Sequence, residues 1–241
     1  MGLFSTVLHI YKKSQADTLT EFKNELRINR GFNNFSKIDI SNSNCQNVLS
    51  EVYSTPGIFY LVTQPHGNWT TIIELNVNVD NPFYLYDLID AISKRLDTYT
   101  LSFHLHDDDV LYYNLDNGGE SLDGYNSDFQ YFHSKPIDRV DIVAQRHSPE
   151  HFLPIIPISK TVEGLNSILN EGMWSAFDNE ELDEEGCPID DDKYYVDEQD
   201  RFERVGKYLE IFSKNDYPFA DWYSNLTKLN LDTCYLLKAD M

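Results

Sequence analysis

Between residues 99 and 125 the chain can do little other than run back and forth as neighbouring strands. Leu101, Phe103 and Leu105 alternate with Thr100, Ser102, His104 and His106, the period of two that gives a strand one apolar face. Asp107-Asp108-Asp109 follows, and Asn117-Gly118-Gly119 comes after a second strand-like run at 110–115. Aspartate, asparagine and glycine adopt the backbone conformations that tight turns require. Three consecutive antiparallel strands are therefore predicted, ending near Tyr125. Their apolar face needs a cover, and residues 82–96 provide the pattern for one. Asp80 or Asn81 caps the helix, Pro82 sits in its first turn, and Leu85, Leu88, Ile89, Ile92 and Leu96 share a face. The expected packing sets Leu101, Phe103 and Leu105 against Leu88 and Ile92.

The flanking sequence extends this scheme. Residues 3–11, rich in β-branched and aromatic side chains, read as a first strand. Thr18 and Glu21 have capping-box spacing ahead of the apolar stripe Leu19, Phe22 and Leu26, and Gly31 ends that helix. Residues 31–55 are rich in Asn and Ser and read as loop, with a short strand around 37–40. The runs 57–63 and 69–76, joined by Gln64-Pro65-His66-Gly67-Asn68, form a hairpin. Beyond Pro149 the patterns become helical: Val162, Leu165, Ile168 and Leu169, then Phe202, Val205, Leu209 and Phe212, then Phe219, Trp222, Tyr223, Leu226 and Leu229. The predicted fold is α+β, an antiparallel sheet covered by helices on one face with a helical C-terminal region. Residues 1–148 make the sheet domain, and 149–241 a mainly helical region packed on it.

Charge narrows the function classes. The chain holds 40 acidic and 19 basic residues, a formal charge of −21, which repels nucleic-acid phosphates and anionic membranes. Direct nucleic-acid binding is not expected. Twelve acids and one base, Lys193, fall within 178–200. With so little apolar content, residues 178–192 read as a solvated loop that a partner orders. No apolar run is long enough to span a membrane, and the first residues lack the features of a secretory signal. The expected location is the cytoplasm, where Cys45, Cys187 and Cys234 are isolated thiols.

One stretch resembles something known. The residues His106-Asp107-Asp108-Asp109-Val110-Leu111-Tyr112-Tyr113, then Gly118, Asp123, Tyr125-Asn126-Ser127 and Tyr131-Phe132, are similar to a succession found in a group of uncharacterised bacterial proteins. The resemblance covers residues 69–132. It implies a bacterial, cytosolic protein and brings no assigned activity and no catalytic residues.

Catalytic signatures are missing from the sequence: there is no G-x-S-x-G elbow, P-loop or G-x-G-x-x-G stretch, and no cofactor is implied. His104, His106 and Asp108 copy the start of a zinc-binding H-x-H-x-D pattern whose final histidine is Asp109 here, and the weaker metal set this suggests is His104, His106, Asp107 and Asp109. They sit on a strand and a hairpin turn, where a polar strand face is the plainer reading. Residues 181–192 can be laid over a calcium-binding loop, with Glu181, Asp183 and Glu185 as ligands, but Pro188 falls where an apolar residue belongs. The reading carried forward is a non-enzymatic acidic binding or inhibitor protein, either toxin-neutralising or imitating nucleic-acid charge, with a basic protein as partner. Asp183, Glu184, Glu185, Asp190, Asp191 and Asp192 form its contact surface. The alternative is a metal-dependent enzyme built on His104, His106 and the Asp107–Asp109 turn.

Overall fold

Strands from both ends of the chain meet in one antiparallel sheet. The structure, a computed structural model, describes residues 4–40, 45–75, 85, 88–106, 109–211 and 231–240. In chain order the strands are β1 (Phe4–Tyr11), β2 (Asn34–Ile38), β3 (Ile58–Val62), β4 (Trp69–Glu74), β5 (Tyr99–His106), β6 (Val110–Asn117), β7 (Glu120–Asn126) and β8 (Tyr235–Asp240). Across the sheet they lie in the order β2-β8-β3-β4-β1-β5-β6-β7. The β3–β4 hairpin and the β5–β6–β7 meander stand where the turn residues placed them. β8 does not: the end of the chain, expected to be helical, inserts between β2 and β3, pairing Leu237 with both Lys37 and Tyr60. The expected helix at 219–229 lies outside the described residues.

The helices are α1 (Gln15–Arg30), α2 (Cys45–Ser54), α3 (Ile89–Leu96), α4 (Arg139–Ala144), α5 (Val162–Leu169), α6 (Met173–Asp178), α7 (Asp191–Tyr194) and α8 (Glu198–Tyr208). Ser14 caps α1 by accepting from the Asp17 amide at 3.1 Å, and Gly31 ends it in the left-handed conformation. The cap thus stands one turn before the expected Thr18, which is buried inside the helix. α2 replaces part of the predicted loop, because Val48 and Val52, one turn apart, are both buried. These elements together make an α+β fold. Among the described residues no helix is long and apolar enough to cross a membrane.

Helices lie against both faces of the sheet. On one face Leu8, Ile10, Tyr60, Val62 and Ile72 pack with Leu19, Phe22 and Leu26 of α1 and with Ile89, Ile92 and Leu96 of α3. On the other, Val7, Leu61, Ile73, Leu101, Phe103 and Leu105 pack with Leu165, Trp174, Phe202 and Val205. Phe103 is buried as expected but against different partners. It meets Phe202 at 4.9 Å between ring centroids, and α3 covers the opposite side of β5. The alternation on β5 was genuine, yet its polar side is also interior: Thr100 and Ser102 are fully buried. A strand covered on both faces can carry small hydroxyl residues on one of them when the backbone nearby supplies partners.

Candidate functional site

The acidic stretch holds together through its own carboxylates. Leu182 and Pro188 form a bridge across a turn. The Asp183 amide donates to the Cys187 carbonyl at 2.8 Å, and the Ile189 amide to the Glu181 carbonyl at 2.9 Å. Asp183 Oδ1 accepts from the amides of Glu185 and Cys187, each at 2.9 Å. Glu181 accepts from Tyr194 Oη at 2.6 Å and pairs with Lys193, an arrangement that holds its carboxyl below the usual range. Asp190 caps α7, Asp197 caps α8, and Arg146 grips Asp178 through both oxygens. Carboxylates at helix N-termini meet unpaired amides and the positive end of the helix dipole. This stretch is therefore a hydrogen-bonded turn followed by two capped helices, with more internal bonding than its composition implied.

Two hollows open beside it. The first, of about 350 Å³, lies between the end of β7 and residues 188–198, and Asp109, Asp128, Asp191, Glu198 and Tyr195 line it. Among the described residues, no lysine, arginine or histidine lines it. The second, of about 610 Å³, is bordered by Asp128, Tyr131, Glu185 and Cys187. Asp128 belongs to both. Its Oδ1 accepts from the amides of Gln130 at 2.8 Å and Tyr131 at 3.1 Å, while burial pushes its carboxyl upward. Tyr195, in the lining of the first hollow, is 77% exposed, and Phe132, next in the chain to Tyr131 of the second, is 58% exposed. Phe132 stacks on Tyr112 at 5.8 Å and meets the His106 ring edge at 5.0 Å.

Glu198, which lines the first hollow, belongs to a buried ion pair. Arg201, fully buried, donates from Nη1 to both oxygens of Glu198 at 2.7 and 2.9 Å and to Tyr125 Oη at 2.8 Å. Its Nη2 donates to the Glu171 carbonyl at 2.8 Å. Tyr125 Oη donates in turn to the Leu169 carbonyl at 2.9 Å. Burial raises the Glu198 carboxyl to about 7, with Arg201 and the Ser127 hydroxyl opposing the rise. The network ties β7, the loop before α6 and the first turns of α8 into one unit.

The structure distributes the expected contact residues unevenly. Asp183, Glu184, Glu185, Asp190, Asp191 and Asp192 are all exposed, but only Asp191 enters the first hollow and only Glu185 the second. Of the alternative metal set, His104 is buried on β5, with Nδ1 and Thr6 Oγ1 sharing a hydrogen bond at 2.8 Å. Burial lowers its pKa to about 3, so its ring is neutral. His106 meets the rings of Tyr131 and Phe132, Asp109 lines the first hollow, and Asp107 and Asp108 lie outside the described residues. Among the described residues, no group of three or more His, Cys, Asp and Glu side chains is placed to hold a metal ion. Asp128, Tyr195 and the Arg201–Glu198 pair are additions that the sequence reading did not reach. The i,i+3 spacing of Glu198 and Arg201 was the one available signal. Comparisons with family models, with curated proteins and with solved structures find no match for this chain.

Proposed function

We propose that this chain is a non-enzymatic acidic binding protein of the cytoplasm that occludes a basic protein, in the manner of a toxin-neutralising immunity protein. The observation that carries the reading is the first hollow, walled by Asp109, Asp128 and Asp191 with no cation in its lining among the described residues and with Tyr195 exposed at its side. Interfaces are anchored by a few aromatic or arginine contacts at their centre, while rim charges act on encounter rate and specificity. Tyr195, Tyr131 and Phe132 supply candidate anchors here. The exposed acids of 183–192 supply the rim, whose field attracts a cationic surface over a distance set by salt. A partner that normally binds nucleic acid presents such a surface, so charge imitation and toxin neutralisation make the same physical demand.

The test starts from co-purification of the full chain with its partner from the native host, followed by titration of the isolated pair. Tyr195→Ala should weaken the complex by about 2 kcal/mol or more, the scale of an interface hot spot. A partner with an acidic or neutral surface, or an affinity unchanged by Tyr195→Ala and by neutralising Asp128 and Asp191, contradicts the reading.

A further inference from the structure

Away from the acidic surface, a second carboxyl is enclosed beneath α3. Asp116 lies on β6 where the β6–β7 register shifts between Leu115 and Asp116, and it is only 4% exposed. Thr100 of β5 stands directly across from it on one side and Ser121 of β7 on the other. Neither residue carries a charge. Among the described residues, Asp116 Oδ2 and the fully buried Thr100 Oγ1 have no hydrogen-bond partner. Two unbonded polar atoms on facing positions of one strand pair are costly inside a protein. A neutral carboxyl removes that cost, because it has an O–H to offer the hydroxyl across the pair.

The charges around this position disfavour the anion. α3 brings Asp90 in its first turn, whose negative charge adds to the effect of burial in raising the Asp116 carboxyl to about 6. The cations of α3 serve other contacts. Arg95 pairs with Glu25 and reaches Glu21 on α1, and the Lys94 stem lies against Gly119, where an added Cβ would fall 2.6 Å from Lys94 Cβ.

We propose that Asp116 is a proton-dependent clasp for α3. In its neutral form it lets the helix seat fully on β5, β6 and β7, and on ionisation it loosens that seat. The sign follows from linkage. As pH rises the unfolded chain releases this proton near the ordinary aspartate value of about 4, whereas the folded chain keeps it to about 6. Stability from this group therefore falls between about pH 4 and 6 and stays lower above that window. This device stands independently of the partner-binding reading.

Three measurements on the full chain test it. In wild type, the carboxyl carbon of Asp116 should titrate near pH 6 by NMR. Asp116→Asn should melt about 5 °C or more above wild type at pH 8 and within about 1 °C of it at pH 4. Amide exchange in Ile89–Leu96, corrected for its intrinsic pH dependence, should be roughly tenfold faster at pH 8 than at pH 5 in wild type and unchanged in Asp116→Asn. An Asp116 carboxyl titrating near 4, or a melting difference equal at both pH values, overturns the proposal. If Asp116→Asn does not fold, the wild-type titration decides alone.

Discussion

The two faces of the sheet are closed by different chemistry. On the α1 and α3 face the cover is mainly apolar: Leu19, Phe22 and Leu26 from one helix and Ile89, Ile92 and Leu96 from the other meet Leu8, Ile10, Tyr60, Val62 and Ile72. The opposite face is covered by α5, α6 and α8, which join apolar contact to buried polar bonds. Trp174 Nε1 donates to the Asn126 carbonyl at 2.8 Å, Trp69 Nε1 to the Leu209 carbonyl at 3.2 Å, and Arg201 binds Glu198 of its own helix, Tyr125 of β7 and the Glu171 carbonyl. Helices of six to eleven residues expose much of their backbone and are marginal by themselves. Directional bonds to β7 fix where they sit. The acidic turn and the hollows emerge from this second cover, so the proposed contact surface rests on helices pinned by directional bonds, where the stripes of α1 and α3 hold the other face mainly by apolar contact.

The largest expected effect follows from that difference. Arg201→Ala leaves Glu198 buried without its partner and should destabilise the fold by about 3–5 kcal/mol, measured by urea unfolding. Replacing both residues by apolar ones, Arg201→Met with Glu198→Leu, should recover much of the loss, since a well-packed apolar pair avoids the desolvation penalty. No recovery in the double variant would mean that the bonds to Tyr125 and the Glu171 carbonyl matter more than the ion pair.

An effect smaller per pH unit is shared by both faces. His9, beside Trp69 and Phe103 on the polar-pinned face, shares a hydrogen bond with Thr71, and His104, on the other face, shares one with Thr6. Burial lowers both rings to about 3. The unfolded chain takes up these protons below about pH 6.5, so the native state loses stability as pH falls from there towards 3. Glu198 and Asp116, raised to about 7 and 6, act in the opposite sense across part of that range. Single substitutions separate these contributions. His9→Gln and His104→Gln should each gain on wild type by about 1.4 kcal/mol per pH unit as pH falls from about 6.5, levelling off towards 3 where the native rings are protonated too. A gain that does not change with pH would show that the replaced ring was already charged. Smaller again, Ser14→Ala should cost about 1 kcal/mol through the lost α1 cap, while Thr18→Ala leaves that cap intact.

Much of the architecture was legible because local pattern and fold agree: Gly31 closes α1, Gly118 and Gly119 turn β6 into β7, and Leu101, Phe103 and Leu105 face a core. Which core they face was not legible, since alternation marks two sides of a strand without saying what covers either. β8 escaped for a related reason. Leu236 and Leu237 are equally at home in a short helix, and only pairing with β2 and β3, nearly two hundred residues away, makes them strand. α2 was hidden by its Asn- and Ser-rich surroundings. At the candidate site the exposed acids could be read directly from composition. Arg201 could not: beside the stripe Phe202, Val205 and Leu209 it looks like a surface cation until Tyr125, Glu198 and the Glu171 carbonyl converge on it.

The central claim, that the acidic face attracts a basic protein, is tested most directly by association kinetics with the isolated partner at about 50 and 300 mM salt, for wild type and for Asp190→Asn/Asp191→Asn/Asp192→Asn. Salt shortens the Debye length from above 10 Å to below 8 Å over this range. The account predicts an on-rate that falls with salt, and a triple variant whose on-rate at low salt drops by roughly tenfold while its off-rate changes little. An on-rate indifferent to salt, or a triple variant that differs from wild type only in its off-rate, contradicts it.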